Sequence, residues 1–206
     1  EVVPCCSNEL LKNTLPVMYS ELEKCQKSLE GYLEQKRNKF PRFYFVSNPV
    51  LLQILSQGSD PQAVQQYYEK IFDSISHVVH DAKDKALIRT IVSRQGAATE
   101  EINLLKPVKT AGNIEEWLMD LLVAMQRAMK EKCADMSMDI AEASKNVSAS
   151  KPAAGEKSVL RRFVDKQCGQ FALLGIQFMW TDDCQTALET CKTRKGAMKE
   201  VVNKCG

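Results

Sequence analysis

The sequence contains no Cys-x-x-Cys pair despite its eight cysteines, and only His77 and His80 could add imidazole ligands. A structural zinc site needs closely spaced ligands of that kind, so no metal centre is expected and the thiols read as reduced, as in a cytosolic protein. A Gly-x-x-x-x-Gly-Lys-Ser/Thr loop is missing as well, and none of the nine glycines stands in a run whose amides could cradle phosphate. The stretch from Gly169 to Gly175 lacks the lysine and a preceding strand, and reads as packing. Neither a Gly-x-Ser-x-Gly elbow nor a His-Glu-x-x-His helix occurs. No apolar run approaches the roughly 18 residues of a membrane span, and no signal peptide opens the chain. Charge of one sign is also scarce: 28 Lys and Arg against 26 Asp and Glu leave +2, with no general pull on nucleic acid or an anionic membrane. The first residue is Glu1, not Met, which suggests a segment of something longer.

What is present is a globular composition, 44% hydrophobic and 26% charged over 206 residues, enough for one domain or two small subdomains. Leu15, Met18, Leu22, Cys25, Leu29, Tyr32, Leu33 and Phe40 recur in steps of three and four, which predicts an amphipathic helix whose stripe needs a partner and which stops at Pro41. The basic cluster Lys36, Arg37 and Lys39 reads as a solvated helix end opposing the dipole. Arg42-Phe-Tyr-Phe-Val-Ser47 predicts a short extended segment buried on one side. Ser47-Asn48-Pro49 and Ser59-Asp60-Pro61 each predict a helix start with Asn or Asp as cap. The second start leads a run of Val64, Tyr67, Tyr68, Ile71, Phe72, Ile75 and Val78 at helical spacing, with His77 and His80 near its end satisfying free carbonyls.

Between residues 85 and 110 the period changes to two. Ile88, Thr90 and Val92, then Glu100, Ile102 and Leu104, alternate around Ser93-Arg-Gln-Gly96-Ala-Ala98, the pattern of a β-hairpin that must lie on helices or on a partner. Asn113 with Glu116 resembles a capping box opening a long helix to about Ala143, roughly 45 Å at ~1.5 Å per residue. Its buried face is read as Ile114, Trp117, Leu118, Leu121, Leu122, Met125, Met129, Met136 and Ile140. Residues 144–158 read as a flexible connection, in which Asn146-Val-Ser148 is a chance glycosylation match. Residues 159–206 resume helical spacing. There Leu173, Leu174, Ile176, Phe178, Met179 and Trp180 form a block expected to be deeply buried, with Gly169 and Gly175 marking close packing or a bend. Asp182-Asp183 reads as a cap before Cys184. The fold class predicted is mainly α: an elongated helical-bundle rod with one inserted β-hairpin, divided as 1–84, 85–110, 111–143, 144–158 and 159–206, and with no catalytic constellation.

Three stretches carry a family resemblance. The first is Cys25-Gln-Lys-Ser-Leu-Glu-Gly-Tyr-Leu-Glu-Gln-Lys-Arg-Asn-Lys-Phe-Pro-Arg-Phe-Tyr-Phe-Val-Ser47 with Leu51-Leu52-Gln-Ile-Leu-Ser56. The second is Asn113-Ile-Glu-Glu-Trp-Leu118, and the third Leu173-Leu-Gly-Ile-Gln-Phe-Met-Trp-Thr181. Together, and in this order, they resemble the linker of dynein heavy chains, the third in a form similar to the flagellar outer-arm gamma type. The resemblance covers about residues 20–190 and departs from the family at Lys166-Gln-Cys-Gly-Gln170. It implies a force-transmitting linker of a minus-end-directed microtubule motor of the ciliary or flagellar axoneme. It also implies that ATP and Mg²⁺ belong to a ring of AAA modules elsewhere in the same heavy chain, with no cofactor in this stretch. The implied partners are that ring, other dynein heavy, intermediate and light chains, and microtubules indirectly, with neither nucleic acid nor membrane. The hairpin residues Ile88, Val92, Arg94, Gln95, Gly96, Ile102 and Leu104 are the candidate contact with the ring. A helical scaffold or docking module unrelated to motors is the competing expectation.

Overall fold

The computed structural model describes residues 7–93, 100–147 and 158–192, together with Arg194, Gly196, Lys199 and Val202. Helix α1 spans Glu9–Lys39. Asn8 starts it, its side-chain oxygen accepting from the amides of Leu10 at 3.0 Å and Leu11 at 3.2 Å. Phe40 leaves helical geometry at φ −133, as a residue before proline should. Pro41–Phe45 then form a 3-10 helix, not the extended segment expected from their β-favouring composition. The reason lies in the burial spacing: Phe40, Phe43 and Val46 are the inward residues, three apart, which matches three residues per turn. The amides of Phe43 and Val46 close those turns on the carbonyls of Phe40 and Phe43 at 3.0 and 3.1 Å.

Helix α2, Asn48–Ser56, carries Pro49 in its first turn as predicted, but Asn48 is not its cap. The Asn48 side-chain oxygen instead accepts from Arg37 Nη2 at 2.5 Å. The single helix predicted after Pro61 is broken into three pieces. Ala63–Tyr67 form a 3-10 turn, Tyr68–Phe72 the short helix α3, and Ile75–His80 the strand β1. Asp73, at φ 55, makes the reversal. His77 and His80 therefore sit on a strand, not at a helix end.

β2 (Leu87–Ser93) and β3 (Glu101–Lys109) are the predicted hairpin, antiparallel, and β1 adds antiparallel to β2 in the order β1-β2-β3. A two-stranded ribbon would be marginal, and the third strand supplies what it needed. The free side of β1 is fastened by one side chain. Gln65 accepts from the Val78 amide at 3.1 Å and donates to the Val78 carbonyl at 2.8 Å, as a neighbouring strand would. Replacing Gln65 with alanine should cost about 1 kcal/mol and raise hydrogen exchange at the Val78 amide, with little change at Ile91 in the middle of the sheet.

Helix α4 spans Ile114–Val147, longer than predicted. Its opening resembles a capping box in residue types only: Asn113 Nδ2 donates to Glu116 Oε1 at 2.8 Å, side chain to side chain. Its continuation past residue 143 takes up the start of the expected connection, and 148–157 lie outside the described residues. Ser158 caps α5 (Val159–Lys166) by accepting from the Arg161 amide at 3.2 Å, and α6 follows over Gly169–Cys191. Asp182 and Asp183 fall inside α6 and not at a helix start, because the helix runs unbroken through them.

The chain divides into two compact units, Glu1–Met125 and Gln126–Gly206, with the division inside α4. In the first, the buried residues include Phe40, Phe43, Leu51, Ile54, Tyr68, Ile71, Ile88, Trp117, Leu118 and Leu121. In the second, Met136, Ile140, Phe163 and Phe171 form the core cluster. Lys166 Nζ and Gln167 Nε2 reach Asp139 at 2.8 and 2.5 Å, fixing the end of α5 to its part of α4.

Candidate interaction surfaces

The last turn of α1 is basic and the first turn of α4 acidic, each opposing its own helix dipole. The fold of the first unit brings these ends together. Lys36 Nζ lies 2.6 Å and Lys39 Nζ 3.4 Å from the same oxygen of Glu115. The Glu115 side chain is 1% exposed and its Oε2 has no hydrogen-bond partner. Burial pushes its pKa up, yet the hydrogen bond from Lys36, its own backbone amide and Lys39 outweigh that, and the net value falls below the usual carboxylate range. The Lys36 pKa is raised by the same hydrogen bond, against the pull of burial.

Aromatic rings consolidate the neighbourhood. Phe40 meets Phe43 edge-on at 5.0 Å between centroids and Phe72 at 6.2 Å, and Tyr68 stacks on Phe72 at 6.3 Å. Burial alone pushes the Tyr68 phenol well above its ordinary value, and its hydroxyl has no partner. Gly58 passes so close to α4 that a Cβ there would stand 3.1 Å from Ile114 Cβ. Nothing in this arrangement pairs a nucleophile with a base. It is a locked joint between two helices.

The residues expected at a contact on the hairpin are divided by the structure. Ile88 and Val92 are interior, at 0% and 2% exposure, Leu104 is buried and Ile102 half-buried. Arg94, Gln95 and Gly96 lie outside the described residues. The inward side chains therefore anchor the sheet, and the exposed side chains available for contact include His77, Val79, Arg89 and Leu105. The strand pairing contains a feature that alternation could not reveal. Thr90 faces Asn103 and Ile88 faces Val108, so Leu104–Pro107 stand opposite Arg89 alone. This bulge pushes Leu105 outward. Arg89 is held in turn by an ion pair with Asp81. Asp81 is kept below the ordinary carboxylate range first by the Lys83 amide and then by Arg89. His80 is shifted downward by burial, with the Lys85 backbone acting the other way.

Two apolar faces expected to be covered are open. On α1, Leu15, Met18, Leu22, Leu29 and Tyr32 are exposed, and within the predicted stripe only Leu33 and Phe40 are buried. On α6, Leu173, Phe178 and Trp180 are more than half exposed. The α6 block is apolar around much of the helix, and one helix can press only one stripe against the core. Phe171, Ala172, Gly175 and Ala187 are the positions that do so. Among the described residues, no three His, Cys, Asp or Glu are placed to hold a metal ion, and no helix is long and apolar enough to cross a membrane.

Residues 1–136 match the family described as dynein heavy chain, N-terminal region 2. Dynein axonemal heavy chain 8 of Mus musculus is 39% identical over 199 residues, 96% of this chain and 4% of that protein. The dynein gamma chain, flagellar outer arm, of Chlamydomonas reinhardtii is 40% identical over 201 residues, 97% of this chain and 4% of that protein. Cytoplasmic dynein 2 heavy chain 1 of Caenorhabditis elegans is 37% identical over 138 residues, 67% of this chain and 3% of that protein. The chain thus spans only 3–4% of the length of these relatives.

Proposed function

The chain belongs to the dynein heavy chain family, and from that premise we propose that it is a force-transmitting linker segment of an axonemal microtubule motor in cilia or flagella. The observation that carries this reading is the joint at Glu115. Helices of 31 and 34 residues are fastened where one ends and the other begins, by a buried carboxylate holding two lysines. A load arriving along α1 is passed into α4 through close-packed side chains that resist compression. The chemistry belongs to a nucleotide-binding ring in the parent heavy chain, where ATP and Mg²⁺ act. The sequence of this segment supplies no phosphate-binding loop of its own.

The sheet is the segment's contact with that ring in this proposal. A swing between two states requires ring contacts that differ in free energy between nucleotide states. The hairpin is suited to this because Ile88, Val92 and Leu104 root it while Arg89 and Leu105 are exposed. Deleting Arg94 to Thr99 in the complete motor should weaken the coupling by about 1 kcal/mol, roughly fivefold. The measurement is microtubule gliding velocity alongside ATPase rate. Both rates unchanged would remove the hairpin from the mechanism.

A further inference from the structure

The 3-10 turn after α1 holds the Phe45 ring outward, beside the half-exposed ring of Tyr44. Phe45 is 79% exposed, while Phe43 and Val46 on either side of Tyr44 and Phe45 are buried. Tyr44 is pinned by its hydroxyl, which donates to Glu34 Oε1 at 2.5 Å, with Asn38 Oδ1 at 3.3 Å. The Arg37 guanidinium lies 5.8 Å from the Tyr44 ring centre and donates to the Val46 carbonyl at 3.4 Å and to Asn48. With its base held this way, Phe45 has little freedom left to lose when covered. Rigid, exposed aromatic rings of this kind serve as interface anchors.

The charges beside it are unbalanced. Among the described residues, Arg37 hydrogen-bonds to neutral acceptors alone, and so does Arg42, which donates to the Ile71 carbonyl at 3.4 Å and lies 5.1 Å from the Phe72 ring centre. Among the described residues, neither guanidinium has a carboxylate at ion-pair distance. With three residues per turn, Arg42 and Phe45 stand on the same side of the 3-10 helix. The carboxylate closest in this network, Glu34, is engaged by the Tyr44 hydroxyl, a bond that also pushes the Tyr44 pKa up.

We propose that this face docks an acidic polypeptide segment with an apolar recess, the recess taking Phe45 and the carboxylates neutralising Arg37 and Arg42. A protruding ring beside two guanidiniums and a carboxylate suits a shaped protein partner better than a uniformly anionic lipid or nucleic-acid surface. The inference goes beyond the linker reading and shares no residue with the hairpin, so each can fail without the other.

The test puts p-benzoylphenylalanine in place of Phe45 in the complete heavy chain within its native complex. After irradiation, adducts are mapped by mass spectrometry, with the same label at exposed Lys130 as control. The expected result is an adduct to a peptide rich in Asp and Glu, its yield falling severalfold when Arg37→Gln and Arg42→Gln are combined. Should that double variant misfold, the unmutated arginines decide it: the yield must fall as salt rises from about 0.05 to 0.5 M. No adduct above the control, an adduct to lipid, RNA or a peptide without carboxylates, or a yield indifferent to salt would overturn the proposal.

Discussion

Replacing Glu115 with alanine should destabilise the Glu1–Met125 unit by about 3 kcal/mol, measured by urea unfolding followed through Trp117 fluorescence. The magnitude follows from what is left behind. Lys36 is only 17% exposed at its side chain and would lose its hydrogen-bonded carboxylate, keeping the weaker pull of Glu116, whereas Lys39, at 56%, can return to water at little cost. The Lys36–Glu115 pair, and not the count of ion pairs, therefore decides the effect. Converting both partners at once, Lys36→Met with Glu115→Leu, removes the stranded charge and should recover most of the loss. A double variant as unstable as Glu115→Ala alone would show that the joint depends on packing and not on paired charge.

The same pair sets a pH window. Glu115 has a depressed pKa when folded, so its contribution is present above the ordinary value of 4.5 and is lost as pH falls through the folded value. Lys36 has a raised pKa, so its contribution is complete below 10.5 and is lost as pH rises through the folded value. Stability from the joint should accordingly be flat across neutral pH and fall at both extremes. Glu115→Gln should flatten both limbs by lowering the plateau between them.

Why this joint was invisible in the sequence is instructive. Glu115 reads as an ordinary first-turn acid, and its lysine partner lies 79 positions away. Nothing local says that a helix-start glutamate is interior. The hairpin was legible because alternation is a local signal, whereas the third strand was disguised by a bulge. The irregularity between Ile75 and His77 shifts the phase of β1, so that Ile75 and Val78 both face inward three positions apart. That spacing prolongs the helical rhythm of Tyr67, Tyr68, Ile71 and Phe72, and a helix was expected in place of a strand. The 3-10 turn at Pro41–Phe45 is hidden for a related reason: aromatic composition argues for extension, while the three-residue burial period is visible only once the core is known.

The α6 block gives the opposite lesson, since composition there promised more burial than one helix face can deliver, while Gly175 behaved as expected. A Cβ at Gly175 would come within 2.5 Å of Phe163 Cζ, 3.0 Å of Cε1 and 3.1 Å of Met136 Sδ. Two effects then oppose each other in Gly175→Ala. Alanine is favoured over glycine in a helix interior by about 1 kcal/mol, while forcing a methyl into a filled core costs about 1–3 kcal/mol. The Met136 thioether can swing aside cheaply. The Phe163 ring cannot, because it is 4% exposed and belongs to the same cluster as Met136, Ile140 and Phe171. The steric term should therefore win by up to about 2 kcal/mol, lowering the stability of the Gln126–Gly206 unit in denaturant unfolding. Combining it with Phe163→Leu tests the cause, since removing the ring tip opens the space that the methyl needs. If Gly175→Ala costs nothing alone, or costs as much beside Leu as beside Phe, the contact between α5 and α6 is not what reserves this position for glycine.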